Sequence, residues 1–265
     1  MKNGMSWFNM TSVGLGLAFL YMPMLVLVVY SFNASKLATV WTGFSTRWYG
    51  TLFQNQKFLD AAIISLKVAL VSATLATVLG TMAAFVLVRA GRFRGRTVFS
   101  ALLFAPLVMP EVIVGLATLL LFIAVGLDRG MMTIILAQST VQMSFASVII
   151  ASRLASHDRS MDEAALDLGC TPLTAFWLVT LPLIAPAVVS GWLLSFSLSL
   201  DNLVVASFTA GPESTTLPVR LYSAVRTGVS PEINALSTIV IGIVAAGVIV
   251  AALVERRTNR RRVEV

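Results

Sequence analysis

Residues 160–187 read SMDEAALDLGCTPLTAFWLVTLPLIAPA, and their local chemistry spells a helix, a glycine turn and a second helix. Ser160 followed three positions later by Glu163 is a capping box, in which the hydroxyl accepts from the Glu163 amide while the carboxylate reaches back. Asp162 and Glu163 add negative charge where a helix N-terminus favours it. Gly169 closes the first helix, because glycine takes the left-handed conformation that helix ends commonly require. Thr171 caps the second helix with Pro172 at its first position, and Pro182 and Pro186 mark its passage into a long apolar stretch. Ala164, Ala165 and Leu168 give the first helix a small, flat, weakly apolar face beside Glu163, a surface suited to a partner's groove.

This hairpin belongs to a chain of 265 residues, 57% of them hydrophobic and 12% charged. Soluble domains run near roughly 45–50% and 25%, so an ordinary soluble domain is excluded. Six apolar runs, at 10–30, 61–88, 98–125, 131–151, 183–208 and 233–254, each reach the length of roughly 20 residues that a bilayer-spanning helix needs. The expected fold class is an all-α integral membrane protein with six transmembrane helices. The first run exceeds a signal-peptide core of about 7–15 residues and no small-residue cleavage site follows it, which marks it as a retained helix. One cysteine, Cys170, and one histidine, His157, supply too few ligands for a cysteine or paired-histidine metal site.

Six spans put both termini on one side. Lys2, Arg89, Arg92, Arg94, Arg96, Arg153, Arg159, Arg256, Arg257, Arg260, Arg261 and Arg262 lie on that side, against Lys36, Arg47, Lys57, Arg129, Arg220 and Arg226 on the other. The positive-inside rule therefore places the N and C termini in the cytoplasm, together with the hairpin. The net charge of +7 reads as this topology signal, not as a nucleic-acid footprint.

The outer segments carry their own structure. Trp41, Phe44, Trp48, Tyr49 and Phe53 sit among polar residues and suit an element lying at the outer membrane boundary, an interfacial anchor. Pro218 followed by VRLYSAVRTG reads as a short helix that stops at Gly228, and Ser230 with Pro231 as the cap and first residue of the last span.

The six runs contain three charged residues, Lys67, Glu111 and Asp201. A carboxylate at membrane depth is costly unless it is paired or faces a wet cavity, so Glu111 and Asp201 are candidates for a permeation path. Counted along straight helices from the cytoplasmic ends, Glu111 lies about 20 Å and Asp201 about 27 Å up, both in the outer half. Lys67 has a similar depth, and a structural ion pair with one carboxylate, or snorkelling, is the alternative reading. Pro106 and Pro110 precede Glu111 and each removes a helical hydrogen bond, which frees carbonyls that a cavity tolerates. Ser190, Ser197 and Asp201 fall near one helix face, while Trp192 and Phe196 form an aromatic pair on another that serves either packing or a cation. Acidic groups on a path favour a cationic cargo.

The order Glu163, Ala164, Ala165, three residues, Gly169, then Val179, Leu181 and Pro182 resembles the EAA loop of type I ABC transporter permeases. Cys170 stands where relatives often have alanine. The segments APLVMPEVI, SFSLSLDNLVVASFTAGP and TTLPVRLYSAVRTGVSPEINALST are similar to those of the putrescine and spermidine permeases, except that relatives tend to carry two adjacent aspartates where this chain has Asp201 and Asn202. The resemblance implies the type I importer fold in a bacterial inner membrane. It also implies coupling to an ATPase through Asp162, Glu163, Ala164, Ala165 and Gly169, and a substrate path that draws on Glu111, Asp201, Asn202, Trp192 and Ser197. Implied partners are a homologous second permease, two ATPase subunits, a periplasmic polyamine-binding protein and membrane lipid. No GxxxxGK[ST] phosphate loop is present, so ATP and Mg belong to the partner ATPase and this chain carries no cofactor. The expected organisation is an N-terminal helix with a periplasmic amphipathic segment (1–60), the transmembrane domain (61–254) with its coupling hairpin at about 158–182, and a basic cytoplasmic tail (255–265). A permease for another solute, such as an amino acid derivative, is compatible with the EAA loop. A membrane-embedded enzyme would need a catalytic constellation, and a passive channel would not need the capped hairpin.

Overall fold

A computed structural model of the chain describes residues 7–36, 40–156, 158–228 and 231–263; His157 and Ser230 lie outside the described residues, as do the side chains of the basic tail. The described chain is helical. In order it forms α1 (Trp7–Ser31), α2 (Arg47–Gln54), α3 (Gln56–Arg89), α4 (Arg96–Val108), α5 (Glu111–Val125), α6 (Met131–Ala155), α7 (Ser160–Asp167), α8 (Pro172–Ala175), a π-helical turn (Phe176–Thr180), α9 (Leu181–Asp201), α10 (Val204–Thr209), α11 (Leu217–Thr227) and α12 (Pro231–Val263). Among the described residues four helices are long and apolar enough to cross a membrane: α1, α3, α6 and the continuous helix Pro172–Asp201. A shorter apolar helix among the described residues, Pro231–Gly247, opens α12.

Two of the six runs depart from straight helices. The run at 98–125 is broken, with α4 and α5 meeting at 117°. Met109 is extended (φ −75°, ψ 139°) and so is Pro110 (φ −56°, ψ 133°), as expected where a proline forces the preceding residue out of the α region. Glu111 therefore begins α5 instead of standing 20 Å up one straight helix. The run at 183–208 ends its helix at Asp201, Asn202 is extended, and α10 follows as a separate turn.

The chain divides into two compact units. In the larger, residues 60–220, α6 is the central helix and contributes buried residues to three apolar clusters: Ile134 and Ile135 with Val68 and Ala206, Ala137 with Phe122 and Val205, Ala146, Ile150 and Leu154 with Ala84 and Ile184. Small residues allow the close crossings. A Cβ on Gly80 would meet Ala146 Cβ at 3.0 Å and the Met143 carbonyl at 3.1 Å, and one on Gly191 would meet Ala146 Cα at 3.6 Å.

The smaller unit combines residues 1–59 and 221–265. Here α1 and α2 pack on α12, and Asn55 Nδ2 donates to Glu232 Oε2 at 3.1 Å. Between α1 and α2 the chain ties a polar and aromatic knot. Asn33 accepts from the Ser35 and Thr42 amides, Trp48 Nε1 donates to the Asn33 carbonyl at 2.7 Å, and Phe32 stacks on Phe44. Trp41, Phe44 and Tyr49 thus pack on the rings of Tyr30 and Phe32, and Trp48 is buried, whereas Phe53 is exposed.

Candidate functional site

The hairpin forms, with one correction at its start. Helix α7 begins at Ser160, and its preceding residue Arg159 is helical with no side-chain cap, so the expected capping box from Ser160 to Glu163 is absent. Asp158 takes the role instead: its Oδ1 accepts from the Ser160 amide at 3.0 Å, a shorter reach than the one from Ser160 to Glu163. At the other end Gly169 adopts φ +87°, Cys170 N donates to Ala165 O and Gly169 N to Leu166 O, which is the Schellman closure expected of that glycine. Thr171 Oγ1 accepts from the Thr174 amide with Pro172 behind it, as the sequence requires. Pro182 has no amide to offer Leu178, and the π-helical turn just before it, closed by Leu181 N to Phe176 O, carries the chain through without a break.

Asp162 fastens the hairpin to the bundle. Its Oδ2 lies 2.8 Å from Arg89 Nη2 at the end of α3, and its Oδ1 accepts from Thr180 Oγ1 at 2.8 Å in the π-helical turn. The pair is largely enclosed, with 10% of the Arg89 side chain and 21% of the Asp162 side chain exposed. Arg159 Nη2 adds a bond to the Val88 carbonyl at 2.9 Å. Ala165 turns inward, whereas Glu163, Ala164 and Leu168 face outward, Leu168 at 86% exposure. Ala164 and Ala165 therefore do not share a face, since successive helical residues point about 100° apart.

A second assembly lies where both broken helices end. A cavity of about 310 Å³ is walled by Pro106, Met109, Glu111, Gln138, Gln142, Asp201 and Asn202, among others. Asn202 Nδ2 donates to Glu111 Oε1 at 2.7 Å, and Asn202 Oδ1 accepts from the Ala206 amide at 3.3 Å at the start of α10. Asp201 is the last residue of α9, so its carboxylate adds to the negative end of that helix. Two carboxylates, one at the N-terminus of α5 and one at the C-terminus of α9, thus border one cavity. Pro110 cannot donate to the Pro106 carbonyl, leaving that oxygen free of its usual helical partner beside the cavity.

Of the path residues expected from sequence, the structure brings together Glu111, Asp201 and Asn202. Trp192 and Ser197 are not part of the cavity wall. Trp192 donates to Thr74 Oγ1 at 3.0 Å and stacks on Phe196, nine residues and half a turn from Asp201. Lys67 is exposed, and among the described residues it pairs with neither carboxylate.

Sequence reasoning missed Gln138 and Gln142. Both are buried on α6 within an apolar run, and the available signal was two amides four residues apart in a membrane helix. Ser199 Oγ donates to Gln138 Oε1 and pairs with Ser72 Oγ at 3.1 Å, whereas among the described residues Gln138 Nε2 and both amide atoms of Gln142 have no partner.

Comparison with known proteins places these features in context. The family described as binding-protein-dependent transport system inner membrane component matches residues 76–264. The putrescine transport system permease protein PotI of Escherichia coli K12 is 53% identical over 255 residues, covering 94% of this chain and 91% of that protein. The spermidine/putrescine transport system permease protein PotC of Haemophilus influenzae is 44% identical, covering 91% of this chain and 94% of its own length. In a crystal structure of a bacterial alginate ABC transporter in complex with an alginate pentasaccharide-bound periplasmic protein, one chain matches with a TM-score of 0.69 at 18% identity, covering 92% of this chain and 91% of that one. That last likeness bears on the fold.

Proposed function

The chain belongs to the family of binding-protein-dependent transport system inner membrane components, and from that premise we propose that it is a permease subunit of a polyamine importer, with putrescine its foremost cargo and spermidine next. The 53% identity to a putrescine permease supports the cargo class. The observation that carries the reading is the joining of Glu111, Asn202 and Asp201 at the ends of two broken helices, a site of the right charge for an alkylammonium.

In this reading the chain crosses the bacterial inner membrane six times: α1, α3, the bent pair α4 and α5, α6, the helix Pro172–Asp201, and α12. The excess of arginine on one side supports cytoplasmic termini. A homologous permease completes the pathway, a periplasmic binding protein delivers cargo above it, and two ATPase subunits hold ATP and Mg below.

Coupling then follows from the hairpin. An ATPase groove receives the outward face of Glu163, Ala164 and Leu168, with Gly169 fixing the turn. Asp162 passes displacement of α7 to α3 through Arg89 and to the base of α9 through Thr180. Because α9 ends at Asp201, a push at the hairpin moves the acidic site at the far end of the same helix. ATP-driven closure opens the site outward to the binding protein, and hydrolysis with product release resets it inward. Labelled putrescine uptake by vesicles holding the complete complex, with spermidine and arginine as competitors, tests the reading. Competition by spermidine but not arginine is expected, and ATP-dependent uptake of arginine without putrescine uptake contradicts it.

A further inference from the structure

The amides of α6 have a use that the acidic site does not supply. Gln138 and Gln142 stand one turn apart on α6, both in the cavity wall, and are 1% and 2% exposed. Gln138 Oε1 is held by Ser199, but its Nε2 and both ends of Gln142 are unpartnered. Leucine or methionine would fill the volume of Gln142 without desolvating an amide, so packing does not account for that residue.

The register of α6 against α9 sets their depth. The two helices run antiparallel, with Gln138 bonded to Ser199 and Ala146 against Gly191, so each step along one is matched by a step back along the other. Gln142 is then level with Ser195, whose buried hydroxyl is also unpartnered. Below this level the seam turns apolar, with Ile150 and Leu154 against Ile184. From the level of Asp201 to that of Gln142 is six residues, about 9 Å of helix rise, a span that a short alkyl diamine bridges when each end makes one hydrogen bond.

We propose that Gln138 and Gln142 form a neutral amide subsite that takes the leading ammonium of a linear diamine while its trailing ammonium remains at Glu111 and Asp201. Rotation of the Gln142 side chain presents Oε1 to the ammonium N–H groups, and the Nε2 groups of both glutamines donate to the water that accompanies it. The subsite rests on the reading of the cavity as the cargo path. It makes the cavity selective for a cargo with two separated cationic ends over one with a single end.

The test uses proteoliposomes with the complete complex and three measurements: labelled putrescine uptake, ATP hydrolysis stimulated by the loaded binding protein, and thermal stability. Wild-type uptake tests the path reading, and failure there removes the path and the subsite with it. Given wild-type uptake, the ratio of variant to wild type tests the subsite alone. Gln142→Leu should lower uptake per ATP about tenfold, the factor that one hydrogen bond to a charged group contributes, while thermal stability is unchanged or higher because the amide has no partner to lose. Gln142→Glu, which keeps an acceptor, should retain most uptake, and putrescine should lose its advantage over butylamine as a competitor in Gln142→Leu but not in Gln142→Glu. Unchanged uptake per ATP in Gln142→Leu overturns the proposal. So does a parallel loss of uptake and stability in both variants, which marks a structural role.

Discussion

Asn202 holds Glu111 across the gap between two broken helices, its Nδ2 donating to Oε1 at 2.7 Å while its Oδ1 caps α10 through the Ala206 amide. This explains how a chain with asparagine beside Asp201 keeps two carboxylates at the cavity. The amide orients one carboxylate without adding a third negative charge next to it.

The bond predicts non-additivity. Asn202→Ala and Glu111→Gln should each reduce putrescine uptake, and the double variant should lose little more than Glu111→Gln alone, because Asn202 acts through Glu111. Uptake rates of the three complexes form the cycle. Additive losses would show that Asn202 acts independently.

At the other end of the bundle, the Arg89–Asp162 pair is expected to carry force. Arg89→Ala leaves the enclosed Asp162 carboxylate without that guanidinium and should lower thermal stability by about 3 kcal/mol. Uptake per ATP should fall more than ATP hydrolysis itself. Restoration of coupling by the exchanged pair, Arg89→Asp with Asp162→Arg, checks that the contact and not the helix alone is responsible.

The turn at Gly169 is predicted to tolerate no β-carbon without strain. Its φ of +87° makes Gly169→Ala unfavourable by about 1–2 kcal/mol. The measurable result is weaker association with the ATPase subunits in detergent, with the assembled membrane fold retained.

Gly80→Val serves as a packing control. Its side chain would press on Ala146 and on the backbone of Met143 and Ser147, lowering stability by about 1–3 kcal/mol. Uptake per assembled complex should change far less than it does on neutralising the cavity.

Much of this was readable from local chemistry. Gly169, Thr171 and Pro172 specify their turns through their own backbone preferences, and the structure follows each. The start of α7 was misread because Asp158 and Ser160 are both competent caps, and their competition is decided by a geometry of one or two residues. Pro110 announced a break, but the 117° angle depends on what packs against α5, including Phe208 over Gly115. The contacts of Asp162 with Arg89 and Thr180 join residues far apart in the chain, so no local pattern encodes them. Gln138 and Gln142 were hidden because a hydropathy run averages over faces, and their chemistry emerges only when α9 packs antiparallel to α6.

The most direct measurement of the central claim is putrescine uptake by the complete complex carrying Glu111→Gln and Asp201→Asn together, with normal assembly and binding-protein-stimulated ATP hydrolysis as controls. If the cation passes the cavity between α5 and α9, uptake falls about tenfold or more while hydrolysis persists. Wild-type uptake by that variant would contradict the account.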